Sequence, residues 1–267
     1  MNVALCGLGR AGKETAKAIL DHPELKLAAG LCRAHSDRIG LDIGEIAQLP
    51  ALGVYAWSID DAEDVFRTNK IDVVIDFSNP TASRALIRAC HKYHVGAVIC
   101  TTGFSDSELA YFKGLAQDDS FGMVYAPNVT IGVNVLMSMS KVAALRLPDF
   151  DYQITEMHHR NKKDSPSATA KRIAGVLECE LNCTSDNKVP INAVRAGGYI
   201  GYHEVLAVGE YERITIVHES FSRRAFAEGA IRAARFIQNR VGWYEMEDVL
   251  TRTQVGNVIP LGDAATA

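Results

Sequence analysis

Apolar and polar positions follow two different rhythms along this chain, and the change of rhythm divides it. In the first half, short apolar runs recur at residues 2–6, 25–32, 71–78, 96–100 and 121–126. Their near-continuous apolar character predicts strands buried on both faces. Helical spacing fills the gaps: from the glycines after Cys6 to about Leu20, from 81 to 94 behind Pro80, and over 105–117. Strand and helix taken in turn predict a parallel, doubly wound α/β sheet whose ligands lie beyond the strand C-termini. Residues 41–68 read as loop and short helix.

The second half changes character. A long helix is expected over 131–147, with Val135, Met139, Val142 and Ala143 at core-like spacing. Residues 151–157 alternate, with Tyr152, Ile154 and Glu156 on one face and Gln153, Thr155 and Met157 on the other. His158 and His159 are expected to leave this strand on opposite faces. Ser167 is a natural N-cap for a helix over 168–181, which carries Ile173, Val176 and Leu177. Strands at 188–196, 202–208 and 211–219, with Gly197-Gly198 and Gly209-Glu210 as turns, predict an antiparallel meander and hence a second domain. A helix follows over 223–240, then one short element near 246–251. The last residues, 262–267, have little to anchor them and are expected to be mobile.

Composition narrows the class. The chain of 267 residues is long enough for one large or two modest domains. A net charge of -4 gives no global basic bias toward nucleic acid or anionic membrane. No apolar run reaches the roughly 18–20 residues of a membrane span. The N-terminus reads as a first strand rather than a signal peptide. Of six cysteines, Cys6, Cys90 and Cys100 sit in apolar runs. Cys179 and Cys183 are four apart but lack His or Cys partners, so no metal site is predicted. This usage points to a reducing, cytoplasmic compartment.

Two stretches carry chemistry. Gly7-Leu8-Gly9-Arg10-Ala11-Gly12 lies between the first strand and first helix, the context in which Gly-x-Gly-x-x-Gly binds a dinucleotide. Gly7 allows the tight turn, Gly9 lets backbone approach a pyrophosphate, and Gly12 lets helix pack on strand. The second strand ends at Cys32-Arg33, where an NAD site wants an acid. Arg33, with Ser36 and Arg38 nearby, suits a 2′-phosphate and favours NADPH over NADH. The loops at Phe77, Ser78, Thr101, Thr102, Gly103, Ala126, Pro127 and Asn128 share the C-terminal sheet edge and are candidates to flank the nicotinamide.

The second stretch, 156–170, holds two histidines, three cations and three hydroxyl residues in fifteen positions. Ser167 opens a helix whose first N–H groups, on Ala168 and Thr169, form an anion site. Lys162 or Lys163 and a histidine add charge and a proton donor. A capped surface helix after a charged loop is the alternative reading.

These residues resemble the dihydrodipicolinate reductase family over almost the whole chain. The most specific piece is Glu156-Met-His158-His159-x-x-Lys162-x-Asp164-x-Pro166-Ser167-Ala168-Thr169-Ala170, similar to the family signature Glu-x-His-His-x-x-Lys-x-Asp-x-Pro-Ser-Gly-Thr-Ala. Asp76-Phe77-Ser78, Asn128 with Gly132-Val133-Asn134, Arg195-Ala196-Gly197, Gly201-x-His203 and Ser222-Arg223 support it. The resemblance implies an N-terminal Rossmann domain (1–127 and 227–267) and a C-terminal α+β substrate and oligomerisation domain (128–226) with an open mixed sheet that builds a homotetramer. It implies NAD(P)H-dependent reduction of a cyclic, imine-like dicarboxylate to tetrahydrodipicolinate. His158 would be the general acid and Lys162 a second donor or orienting charge. His159, Ser167, Ala168 and Thr169 would hold a carboxylate, with Arg223 near. The chain departs from the family at Ala168 (usually Gly), Gly198, Tyr202 and Cys32. A paralogous reductase of another anionic imine or unsaturated acid, and a nucleotide-binding sensor without catalysis, are the alternatives.

Overall fold

The computed structural model describes residues 1–118 and 120–252. Its first sheet has seven strands: β1 (Asn2–Cys6), β2 (Lys26–Cys32), β3 (Ala56–Ser58), β4 (Val73–Asp76), β5 (Gly96–Ile99), β6 (Gly122–Tyr125) and β11 (Gly242–Glu245). They are ordered β11-β6-β5-β4-β1-β2-β3 and all pair in parallel. Alternate side chains feed two separate cores. Val3, Leu5, Val73, Ile75, Val98 and Val124 face α1 (Arg10–Leu20), α2 (Ile43–Ala47), α8 (Arg224–Ile237) and α9 (Met246–Arg252). Ala4, Cys6, Val74, Ala97, Ile99 and Met123 face α3 (Ala62–Asn69), α4 (Pro80–Tyr93) and α5 (Asp106–Leu115). Both faces being covered explains why the strands read as continuous apolar runs. Strand order reverses between β1 and β4, which opens a crevice at their C-terminal ends.

The second sheet has four strands, ordered β10-β9-β7-β8, from β7 (Asp151–His158), β8 (Ile191–Arg195), β9 (Gly201–Val208) and β10 (Arg213–Ser220). Helices α6 (Ile131–Arg146) and α7 (Ala168–Glu180) cover one face, burying Leu136, Ile154, Ile173, Leu177 and Val205 between the layers.

Four expectations change. Only β9 and β10 form a hairpin; β8 runs parallel to β7 on its far side, so the three strands are not a meander. The loop-like regions 41–68 and 243–245 supply edge strands β3 and β11, too short for periodicity to mark. On α6 the buried apolar residues are Val133, Leu136, Met137 and Ala144, while Val135, Met139 and Val142 are 42%, 52% and 59% exposed. This helix is apolar nearly all round, so spacing alone could not choose its inner face. The strand alternation expected to separate His158 and His159 stops at His158: the His159 N–H turns to the Tyr199 carbonyl, and both residues line one cleft. Residues 262–267 lie outside the described residues. No described helix is long and apolar enough to cross a membrane.

Candidate active site

The glycine loop shows why each glycine stands where it does. Gly7 has φ +85°, and a Cβ there would meet the Phe77 carbonyl carbon at 2.5 Å. A Cβ on Gly12 would meet the Gly7 carbonyl oxygen at 2.1 Å. Gly9 differs, with nothing within 4 Å of its Cβ position. It is the N-cap of α1 and no side chain caps that helix. The α1 N–H groups therefore face open space, with the geometry an anionic pyrophosphate needs. Leu8 is buried beneath the loop, and the Arg38 guanidinium donates to its carbonyl.

The other strand ends make a common edge. Asp76, fully buried at the end of β4, accepts from the Ser78 N–H at 2.9 Å, the Thr101 hydroxyl at 2.9 Å and the Ser83 hydroxyl. Burial pushes its carboxyl up, against these donors. The Thr101 hydroxyl thus faces inward and ties β5 to β4; Phe77, Thr102 and Gly103 flank it on the loops. After β6, Ala126 and Pro127 lead to Asn128, whose side chain joins the two halves. Its Nδ2 donates to the Thr169 hydroxyl at 2.9 Å, and its Oδ1 accepts from the Thr130 N–H and hydroxyl. Beyond β2, Arg33 is exposed, without an ion pair among the described residues. Ser36 Oγ accepts from the Arg38 N–H, and the Arg38 guanidinium is taken up by the Leu8 carbonyl.

A cleft of about 380 Å³ runs from the start of α1 to the second sheet. Arg10, Ala11 and Asn128 line one end; His158, His159, Lys162, Thr169 and Arg223 line the other. Ser167 lies just behind, with its hydroxyl accepting from the Ala170 N–H at 3.1 Å, and Ala168 is exposed at the first position of α7. Lys162 pairs with Asp164 at 2.8 Å. Burial pushes the Asp164 carboxyl up, but Lys162 outweighs it and holds it low.

His158 is 7% exposed. Its Nδ1 is bonded to Glu156, and Nε2 faces Gly201, where an added Cβ would come within 3.4 Å. Burial pulls its imidazole below the ordinary histidine range, while Glu156 opposes that pull. Beyond it, His203 packs edge-on with centroids 5.3 Å apart and stacks on His218 at 6.2 Å. Burial, with the neighbouring histidines, pushes His203 down to about 3, so it is a neutral wall of the cleft.

Several lining groups were not singled out as site residues from sequence: Thr130, Ile200, His218, Ser220 and Phe226. Thr130 is the N-cap of α6, Ile200 precedes β9, His218 and Ser220 lie on β10 and Phe226 opens α8, so no single local pattern marks them. A larger cavity of about 440 Å³ between α6, α7 and β11 holds two ion pairs, Arg172 with Glu245 at 2.7 Å and Lys141 with Glu180 at 3.5 Å, with Glu247 also on its wall. Among the described residues no cluster of His, Cys, Asp or Glu could hold a metal ion.

Comparison with known proteins agrees with this geometry. The family profile "Dihydrodipicolinate reductase, N-terminus" matches residues 1–129, and "Dihydrodipicolinate reductase, C-terminus" matches 132–250. The 4-hydroxy-tetrahydrodipicolinate reductase of Chromohalobacter salexigens is 37% identical, over 93% of this chain and 97% of its own length. That of Methanopyrus kandleri is 34% identical, over 93% and 95%. The dipicolinate-bound dihydrodipicolinate reductase of Paenisporosarcina sp. TG-14 superposes with a TM-score of 0.77 at 28% identity, covering 92% of this chain and 97% of that one. An amine dehydrogenase from Mycobacterium smegmatis, at 13% identity and TM-score 0.69, shares the fold. The chain belongs to the dihydrodipicolinate reductase family.

Proposed function

We propose that the chain reduces a cyclic, imine-type dicarboxylate with NAD(P)H: 4-hydroxy-tetrahydrodipicolinate, or the dihydrodipicolinate that loss of water makes from it, to tetrahydrodipicolinate in lysine and diaminopimelate biosynthesis. The observation that carries this is one cleft with an uncapped helix start behind Gly9 at one end and His158 with Lys162 at the other. A bound nicotinamide supplies hydride. The protein's part is to hold two anions and place a proton. The N–H groups at the start of α1, with Arg10, hold the cofactor's phosphates, while Phe77, Ser78, Thr101–Gly103 and Ala126–Asn128 form the edge around its ring. Lys162, His159, Ser167, Thr169 and the N–H of Ala168 take one substrate carboxylate; Arg223 stands by the same cleft. His158 gives the proton from Nε2. Substrate carboxylates placed beside it favour its charged form and offset the effect of burial.

The dinucleotide-binding unit is residues 1–127 with 227–267, and the substrate unit is 128–226, a division supported by the packing of α8 and β11 on the first sheet; the part beyond 252 lies outside the described residues. The chain acts in the cytoplasm, a reading supported by six unpaired cysteines. It assembles as a homotetramer. Support comes from the uncovered face of the second sheet, with Val208 and Val217 exposed, and from the outer face of α6. Apolar patches of this kind mark contact surfaces. Sedimentation equilibrium should give about four times the 29.1 kDa chain mass; a monomer would refute the assembly.

The activity is tested by mixing the protein with NADPH and freshly made 4-hydroxy-tetrahydrodipicolinate and following loss of the reduced nicotinamide absorbance. Steady turnover is expected. Cofactor binding without turnover would favour a sensor, and turnover only with another unsaturated acid a paralogous reductase. NADPH is the preferred cofactor, because Arg33, exposed and without an ion pair among the described residues, stands where the ribose acid is missing. In the same assay Arg33→Ala should raise KM for NADPH by about tenfold, one charge-assisted contact, and leave NADH nearly unchanged. Equal losses for both would show that Arg33 does not meet the 2′-phosphate.

A further inference from the structure

Behind His158 stands a pair of charges that line no part of the cleft. Glu156 and His158 lie two residues apart on one face of β7, and Arg195 sits opposite His158 in the parallel register of β8. Glu156 is fully buried. Its Oε1 accepts from the Ser167 N–H at 2.9 Å and from Arg195 Nη2 at 2.7 Å. Its Oε2 accepts from Arg195 Nη1 at 2.9 Å and from His158 Nδ1. Arg195 is anchored in turn, through the Val194 and Asp164 carbonyls. A two-pronged guanidinium contact fixes the plane of the carboxylate as well as its charge. One carboxylate therefore touches the proton donor, its own counter-charge and the residue that caps α7.

We infer that Glu156 is a positioning residue for the proton transfer and Arg195 its brace: Glu156 holds His158 with a proton on Nδ1, so that the proton given to substrate leaves from Nε2. The inference rests on His158 as the acid. In the step, the imidazolium gives up its Nε2 proton and becomes a neutral imidazole that keeps Nδ1–H. Glu156 stays ionised throughout. Burial pushes its carboxyl up, but Arg195, His158 and the Ser167 N–H outweigh burial and hold it below the usual carboxylate range. Through Ser167 the same group fixes where α7 begins, so the acid and the carboxylate cradle share one anchor.

The charged and titratable groups facing His158 are Glu156 from its own strand, Arg195 from β8, Lys162 from the loop and His203 from β9. Glu156 favours imidazolium, whereas Arg195 and Lys162 oppose it. The two members of the pair must therefore move the pH profile in opposite directions. Glu156→Gln removes an anion, so the fall of kcat/KM with rising pH should shift to lower pH by about one unit. Its kcat should drop about 100-fold, because a Gln amide facing Nδ1 favours the wrong tautomer. Dipicolinate should still bind, since Gln keeps an acceptor for the Ser167 N–H. Arg195→Met removes a cation, and its limb should shift to higher pH. A purely structural pair would give losses without opposed shifts. Shifts of the same sign, none at all, or an unchanged kcat in Glu156→Gln would overturn the inference.

A measurement on the unaltered protein guards against variants that fail to fold. Nitrogen-15 histidine spectra, with the His158 signals assigned by their loss in His158→Gln, should show the neutral ring protonated on Nδ1. The Nε2-protonated form would refute the role of Glu156. Wild-type turnover in His158→Gln would instead refute His158 as the acid, and the tautomer would still report on Glu156.

Discussion

Replacing His158 by Gln should lower kcat by about 10²–10⁴-fold, the usual worth of a placed general acid, while dipicolinate binding stays close to that of the unaltered protein. The separation follows from the division of labour in the cleft. His158 presents one free nitrogen, Nε2, beside Gly201, and makes no other contact that would hold an anion. The cleft cations proposed to attract a dicarboxylate, Lys162 and Arg223, lie on other segments and survive the change. An interaction made only as the proton moves shows in kcat, not in affinity.

The pH dependence supplies a second readout. The acid must be protonated, so activity falls as pH rises through the His158 titration. Burial pulls that titration below the ordinary histidine range in the free protein. The limb in kcat/KM, which reports the free enzyme, should therefore lie on the acid side of about 6.5. The limb in kcat should lie higher, because bound carboxylates favour imidazolium. Both limbs should vanish in His158→Gln. A variant with kcat near that of the unaltered protein, or an unmoved profile, would take the proton-donor role away from His158 and leave Lys162 as the candidate.

How far these features can be read from sequence depends on whether the physics is local. The β1–glycine–α1 unit is legible because its requirements are local: an apolar run, a turn with positive φ and a helix start within a dozen residues. The 156–170 stretch is legible for the same reason, since Ser167 caps its own helix and His158 ends its own strand. Arg195 is different. It meets Glu156 across 39 positions of sequence, through a parallel pairing of β7 and β8 that no turn between them announces. His203 and His218 likewise reach the cleft only because β9 and β10 stack beside β7. Thr101 shows a different limit. Its place at a strand end marks it as a candidate for the cofactor edge, but nothing in the pattern marks Asp76 as the partner of its hydroxyl. On α6 the apolar stripe was visible, but not which surface it meets; Val135, Met139 and Val142 look outward, and a stripe facing a partner reads like one facing a core.

Gly9 and Gly12 should fail in different ways when each is changed to Ala, and that contrast tests the dinucleotide loop. At Gly12 the added Cβ would stand 2.1 Å from the Gly7 carbonyl oxygen, far inside contact, with backbone on both sides. Gly7 has little room to retreat, because the Phe77 backbone lies close behind it, 2.5 Å from where a Cβ on Gly7 would stand. Helix α1 must then tilt away from the loop. Overpacking of this kind costs about 1–3 kcal/mol, which should appear as a lower Tm. The α1 N–H groups move with the helix, so NADPH affinity should fall by about 10–100-fold, the loss of one or two charge-assisted contacts. At Gly9 the Cβ meets nothing within 4 Å, and φ of -75° is open to Ala. Gly9→Ala should therefore keep its Tm, yet lose NADPH affinity, because the methyl group enters the space through which the phosphate approaches backbone. Thermal melts with and without NADPH separate the cases: Gly12→Ala loses intrinsic stability and the NADPH-induced rise, Gly9→Ala only the rise. If Gly9→Ala binds NADPH as tightly as the unaltered protein, the phosphates do not lie over Gly9, and the loop's glycines serve packing alone.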